Sequence, residues 1–289
     1  MSDSIEQDEI ERLSPEDTFS LLGNETRIGI IQALWQADNN HVSFSALRAH
    51  ADVADSGQFN YHLGKLVGTF VQRDESGYGL TYAGRRIIGA ILDGTYTKCA
   101  EIDPFDIGAS CSSCGVSLEA SYVTDQFVVR CPNCEDTVLR FAFPPGVLEG
   151  RPRDKLAATA SHWIRAQLSF TVNGICPNCA GAIIHSITTD PEYRNREVGL
   201  EYDCERCNHH ATSTVALHLS YHPAVIAFHD GHGIDLNEEF WDSYVWTGDG
   251  YTTVRSEDPW RISVTIPLAD DKLELVIDGD LTVIERHRT

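Results

Sequence analysis

The chain has 289 residues, 42% of them hydrophobic, which is enough for two domains with cores of their own, and no apolar run nears the ~18 residues of a membrane span. Lys and Arg number 22 against 43 Asp and Glu, a net charge of −21, which speaks against a generally basic nucleic-acid surface. Only Lys65, Lys98, Lys155 and Lys272 are lysines, and the acid is spread along the chain. That pairing fits a halophilic protein in a very salty cytoplasm, where a Debye length of ~3 Å at 1 M salt makes self-repulsion cheap, the alternative being an ordinary acidic protein. Residues 1–12 are an acidic tail without the basic and apolar regions of a signal peptide, so a cytoplasmic protein is expected.

From Leu13 to about Thr95 the pattern is mainly helical. Ser14-Pro15-Glu16-Asp17 starts a helix that stops at Gly23. Asn24 caps a second, with Ile28, Ile31 and Leu34 on one face, ending near Ala37. Ser43 caps a third, from Phe44 to Ala51, and Asp55 or Ser56 caps a fourth that ends near Gly68. Phe70 to Thr81 reads as a hairpin with Ser76-Gly77 at its tip, and Tyr82 to Leu92 as a last helix. Residues 96–110, with Asp103-Pro104 and Gly108, read as a linker. Beyond it, residues 111–289 read as a β-rich domain interrupted by one helix from Arg153 to about Leu168. Strands are expected at Val116–Val123, Phe127–Val129 and Thr137–Phe143, and again at Ala182–Ile187, Val198–Tyr202 and Ala211–Leu219. The tail from Val225 reads as mostly strand, with a helix only at Leu236–Trp241. The fold class is therefore α+β.

The fourth helix carries a nucleic-acid signal. Phe59, Leu63 and Leu66 share an apolar face, while Gln58, Tyr61 and Lys65 point away, with Asn60 and His62 at the margins. Gln and Asn suit adenine edges; Lys suits guanine or phosphate; Tyr and His suit phosphate. Residues 43–68 hold Arg48 and Lys65 against Asp52 and Asp55, so this stretch is neutral within a strongly negative chain.

The segments Leu21-Leu22-Gly23-Asn24-Glu25-Thr26-Arg27-Ile28, Tyr61-His62-Leu63-Gly64-Lys65-Leu66 and Tyr78-Gly79-Leu80-Thr81-Tyr82-Ala83-Gly84 together resemble the winged helix-turn-helix of the ArsR family of regulators. The resemblance implies a homodimer on double-stranded DNA. It places Ser56, Gln58, Asn60, Tyr61, His62 and Lys65 at the groove, with Arg73 on the wing. It offers Phe19, Leu22, Ile87, Ile88 and Ile91 for the dimer interface, although each also suits an ordinary core. Metal-sensing members carry a cysteine pair in the helix before the recognition helix; Phe44 to Ala51 has none.

Eight of the nine cysteines form four C-x-x-C pairs: Cys111/Cys114 with Cys131/Cys134, and Cys176/Cys179 with Cys204/Cys207. Each set has the form of a tetrahedral four-thiolate site, with a hairpin between its pairs. Two structural zinc ions are expected, in ribbons at 111–143 and 176–219, with no open position for a catalytic water. The spacing leaves cross-pairing of the sets open. Gly115 and Gly181 follow their pairs where tight turns are expected, and Cys99 reads as a small core residue.

His209, His210, His218, His222, His229 and His232 fall close together, but they read as residues of the second ribbon and its flanking strands. No G-x-S-x-G, H-E-x-x-H or Walker A motif occurs, so no enzyme is expected. The sequence points to a DNA-binding transcription regulator whose C-terminal region meets an effector, the transcription machinery or a second copy. The alternative is a zinc-ribbon adaptor binding protein or RNA. A third reading is a small-molecule module, with Trp241, Trp246 and Trp260 lining an apolar pocket, although a core role suits these tryptophans better.

Overall fold

The computed structural model describes residues 13–37, 39, 41–111, 113–135, 137–189, 198–236, 245–248 and 250–289. Among these residues the chain is α+β, with eight α-helices and four antiparallel sheets. It divides into two compact units, Met1–Lys98 with Pro144–Gly146, and Cys99–Phe143 with Val147–Thr289.

The first unit runs α1 (Pro15–Ser20), α2 (Glu25–Gln36), α3 (Phe44–His50), α4 (Ser56–Leu66), β1 (Val71–Asp74), β2 (Gly77–Leu80) and α5 (Tyr82–Leu92). Five of these helices start on a side-chain cap. Ser14, Asn24, Ser43, Asp55 and Thr81 each accept a backbone N–H three residues on, an interaction worth about 1 kcal/mol apiece. Arg27 turns back from α2 and donates to the carbonyls of Leu21 and, at 3.1 Å, Ser20, satisfying the end of α1.

Ile30, Ile31, Ala33 and Leu34 of α2 are buried, and Ile28 is half-buried. The buried face is wider than the expected Ile28–Ile31–Leu34 stripe because α2 packs against α3, α4, α5 and β2 at once. Phe59, Leu63 and Leu66 of α4 complete the same core with Leu47, Tyr78, Leu80 and Ile88. Thr81 fixes the joint between hairpin and α5: its hydroxyl donates to the Thr69 carbonyl at 2.7 Å and accepts from Gly84 N–H at 3.0 Å. Gly84 must lack a Cβ, which would lie 2.2 Å from the Phe70 carbonyl oxygen.

The second unit opens with a meander, β3 (Ile102–Ser110), β4 (Ser117–Val123), β5 (Gln126–Arg130) and β6 (Thr137–Ala142), followed by the long α6 (Arg153–Val172). A three-stranded sheet follows: β7 (Ile183–Thr188), β8 (Gly199–Cys204) and β9 (His210–Ser213). After α7 (Val215–Leu219) and α8 (Pro223–Asp230), a final meander runs β10 (Thr252–Glu257), β11 (Trp260–Leu268), β12 (Asp271–Ile277) and β13 (Val283–Arg288). In its two central strands Ile262, Val264 and Ile266, and Leu273, Leu275 and Ile277, are buried on one face, and Ser263 and Val276 between them are buried as well.

Several expectations are corrected here. Residues 102–110 are strand β3, not linker. Pro104 and Gly108 are accommodated because β3 is an edge strand whose register shifts twice against β4, and Asp106 accepts the Gly108 N–H at 2.7 Å. Residues 215–219 are helix, not strand: Thr214 accepts Leu217 N–H at 3.0 Å, and Val215, Ala216 and Leu219 turn inward. Pro223 at the first turn, with His222 as cap, makes 223–230 a helix as well. The helix expected at Leu236–Trp241 lies outside the described residues except for Leu236. Cys99 is exposed rather than in a core, whereas Trp246 is a core residue.

Candidate metal centres and nucleic-acid helix

The eight paired cysteines assemble into two clusters, Cys111, Cys114, Cys131 and Cys134, and Cys176, Cys179, Cys204 and Cys207. In each, the four Sγ atoms lie within 4.8 Å of one another, and the two sets do not cross-pair. The sulfur separations are 4.0 Å for Cys111–Cys134, 3.5 Å for Cys114–Cys131, 3.7 Å for Cys176–Cys207 and 3.5 Å for Cys179–Cys204. A disulfide needs about 2.05 Å. A tetrahedron with metal–sulfur bonds of ~2.3 Å puts its sulfurs about 3.8 Å apart, so the clusters have the dimensions of metal sites.

The chain reaches this geometry by the same turn four times. The residue after each pair, Gly115, Glu135, Ala180 and Asn208, has φ of 74°, 61°, 55° and 54°. The left-handed residue in the third turn is thus Ala180, not Gly181. Gly181 serves another purpose: a Cβ there would lie 3.2 Å from both Cys179 and Cys204 Sγ. Backbone N–H groups of Cys134, Gly181 and Arg206 donate to Cys131, Cys179 and Cys204 Sγ at 3.4 Å, and the Arg206 N–H holds the Cys204 thiol below its usual range. The thiols also perturb one another. Cys114 and Cys131 push Cys134 up to about 12, while Asn178 and the His209 backbone draw Cys207 down to about 6. A bound cation removes that conflict by making all four thiolates favourable together.

On α4, Ser56, Gln58, Asn60, Tyr61 and Lys65 are exposed, while Phe59, His62, Leu63 and Leu66 are buried. His62 therefore faces inward rather than outward. It follows Phe59 by three positions on the same helix face, and its Nδ1 has no hydrogen-bond partner among the described residues. Lys65 Nζ lies 5.7 Å from the Tyr61 ring centre, and exposed Arg73 on β1 lies 5.4 Å from the Tyr78 ring. The sequence reading overlooked His41, which meets Asp74 of the hairpin at 2.9 Å. Of the interface candidates, Phe19 is 64% exposed, Leu22, Ile87 and Ile91 are half-buried, and Ile88 is a core residue at 1%.

The two parts of the chain match two family models. Residues 15–91 match a domain of unknown function, DUF7347. Residues 108–283 match a domain of unknown function, DUF7351, which takes in both cysteine clusters and more than half of the chain. The chain belongs to the DUF7351 family. No curated protein matches it.

Within the DUF7351 segment the histidines are dispersed. His210 pairs with Asp203 at 2.9 Å, His222 caps α8, and His232 accompanies Asp271 at 3.4 Å. His229 Nδ1 donates to the Val225 carbonyl at 2.8 Å, and Nε2 accepts from Trp246 at 3.2 Å, the pattern of a neutral ring. His218 stacks on Tyr202, and its Nδ1 lies 2.8 Å from the Tyr202 hydroxyl; burial pulls its pKa down to about 4. Among the described residues only the two cysteine clusters gather three or more potential metal ligands. No helix among them is long and apolar enough to cross a membrane.

Proposed function

We propose that the chain is a sequence-specific transcription regulator that binds double-stranded DNA as a homodimer. In this reading the first unit is a winged helix-turn-helix with α4 in the major groove and the β1–β2 hairpin as its wing. The observation that carries the reading is the two-sidedness of α4. Phe59, Leu63 and Leu66 anchor one face in the core, and the other presents Gln58, Tyr61 and Lys65 to solvent. No acid lies between Ser56 and Leu66, in a chain with 43 acidic residues. The carboxylate just before it, Asp55, is held at the cap by Gln58 N–H at 2.7 Å. Gln58 suits a base edge, and Lys65 and Arg73 suit phosphates.

The two cysteine clusters are best read as structural zinc sites. Ligand sets made only of thiolates, at tetrahedral spacing, suit zinc above the harder divalent ions, and four protein ligands leave no position for a reacting water.

The experiment is selection of bound duplexes from a random pool by the full-length, metal-loaded protein. The reading expects enrichment of a palindromic motif with half-sites about one helical turn apart. A pool that stays random after several rounds overturns it.

A further inference from the structure

A cavity of about 670 Å³ opens in the second unit, within the range of small-molecule sites, ~300–1,000 Å³. Its walls are unusual. Every residue of β6, Thr137 to Ala142, lines it, and so does every residue from His209 to Thr214, which includes all of β9. Side chains along a strand alternate between faces, so a whole run of neighbours meets one cavity only when the strand turns its edge toward it. Both strands are edges: β6 pairs only with β5, and β9 only with β8, among the described strands. Between these edges one face of α6 supplies Arg165, Leu168 and Thr171.

Charge is distributed here against the trend of the chain. Among the described residues no Asp or Glu lines the cavity, whereas Arg140 and Arg165 do, together with His209 and His210. Arg165 is the informative one. Its guanidinium lies 5.9 Å from the Tyr221 ring, and the Tyr221 hydroxyl donates to the Arg165 carbonyl at 2.9 Å, so the residue is held in place. Nη1 is buried yet has no hydrogen-bond partner among the described residues. Buried polar atoms are almost always paired, and an unpaired one calls for a missing partner. Tyr221 supplies no counter-charge, since burial pushes its phenol up to about 12.

We propose that this cavity binds a small organic monocarboxylate with an apolar body. Its carboxylate takes Arg165 as a charge-assisted partner, and its body lies along Leu168 between the two strand edges. The inference stands apart from the DNA reading, because it uses only residues of the second unit and a binding readout without DNA.

The test is calorimetric titration of the full-length, metal-loaded protein with straight-chain carboxylates from butanoate to decanoate and with phenylalkanoates, each against its primary amide. At least one acid is expected to bind at least about tenfold more tightly than its amide. Arg165→Gln should lose that preference with metal content and circular dichroism unchanged, Arg165→Lys should keep part of it, and exposed Arg140→Gln should weaken it less. The proposal is overturned if amides bind as well as acids, if Arg165→Gln keeps the preference, or if no acid binds up to about 10 mM. Should Arg165→Gln fail to fold, the acid-against-amide comparison on the unaltered protein, with Arg140→Gln, still decides.

Discussion

A Cβ on Gly181 would lie 3.2 Å from the sulfur of Cys204, and 3.0 Å from Arg206 Cβ on the opposite turn. A methyl group at this position would therefore push on the second cluster, whose neighbours would have to shift by a few tenths of an ångström. Gly181→Ala should loosen that cluster alone, releasing one of two metal ions to a colorimetric chelator about tenfold faster, as disturbing the shell around a ligand set commonly does. Two ions leaving at unchanged rates would show that Gly181 does not hold the site together.

The turns themselves carry a second prediction. Glu135 and Ala180 adopt φ of 61° and 55°, a region that costs a residue with a Cβ about 1–2 kcal/mol. Glycine removes that cost but gives some back in unfolded-state entropy. Glu135→Gly and Ala180→Gly should thus each raise stability by up to about 1 kcal/mol, read from denaturant unfolding with metal present. Destabilisation by either would mean that its side chain contributes more than the turn costs.

His218 should make the second unit acid-sensitive. Its folded pKa, about 4, lies below the ordinary value of 6.5 because burial disfavours the charged ring. A depressed histidine contributes stability that is present above the unfolded pKa and lost as pH falls through the folded one. The window is therefore pH 6.5 down to 4, and the full loss is about 3 kcal/mol. His218→Asn should flatten the stability profile between pH 6.5 and 4.5. A wild-type profile already flat over that interval would contradict the burial argument.

What the sequence disclosed followed from how local each signal is. Ser14, Asn24 and Ser43 were legible as caps, and Asp55 as one of two candidates, because the cap and the N–H it binds are three residues apart. The cysteine sets and their division into 111–134 and 176–207 were legible because two C-x-x-C turns are a local pattern, although excluding cross-pairing required the fold. Strand β3 was hidden by Pro104 and Gly108, which read as breakers unless the strand is known to be an edge. Helix α7, with five residues, is too short to show a helical period. The inward turn of His62 depended on the core around Phe59. Arg165 gave no signal at all, since its cavity is built from strands 25 residues before it and 45 after it in the chain.

The dimer expectation now separates into two kinds of residue. Ile88 is buried at 1%, so Ile88→Asp should unfold the first unit by burying an unpaired charge rather than split an interface. Phe19, 64% exposed, is the better probe, and Phe19→Asp should yield folded monomers with weakened DNA binding. Light scattering that finds Phe19→Asp still dimeric would move the interface elsewhere. A wild-type monomer at all working concentrations would remove the dimer.

The most direct test of the central claim is DNA affinity measured across a molar salt range on the selected duplex and on random duplex. It compares wild type, Gln58→Ala, and the pair Lys65→Ala with Arg73→Ala. Gln58→Ala should narrow the gap between selected and random DNA by ~1–3 kcal/mol, the worth of one base-edge contact. The double variant should weaken both duplexes alike and reduce the salt slope by about 2, one phosphate contact per lost cation. Wild type should start from a shallow slope, because the first unit presents few cations to phosphates. Absence of binding at every salt concentration, or affinity and slope unchanged when Gln58, Tyr61 and Lys65 are all replaced by alanine, would contradict α4 as the DNA-reading helix.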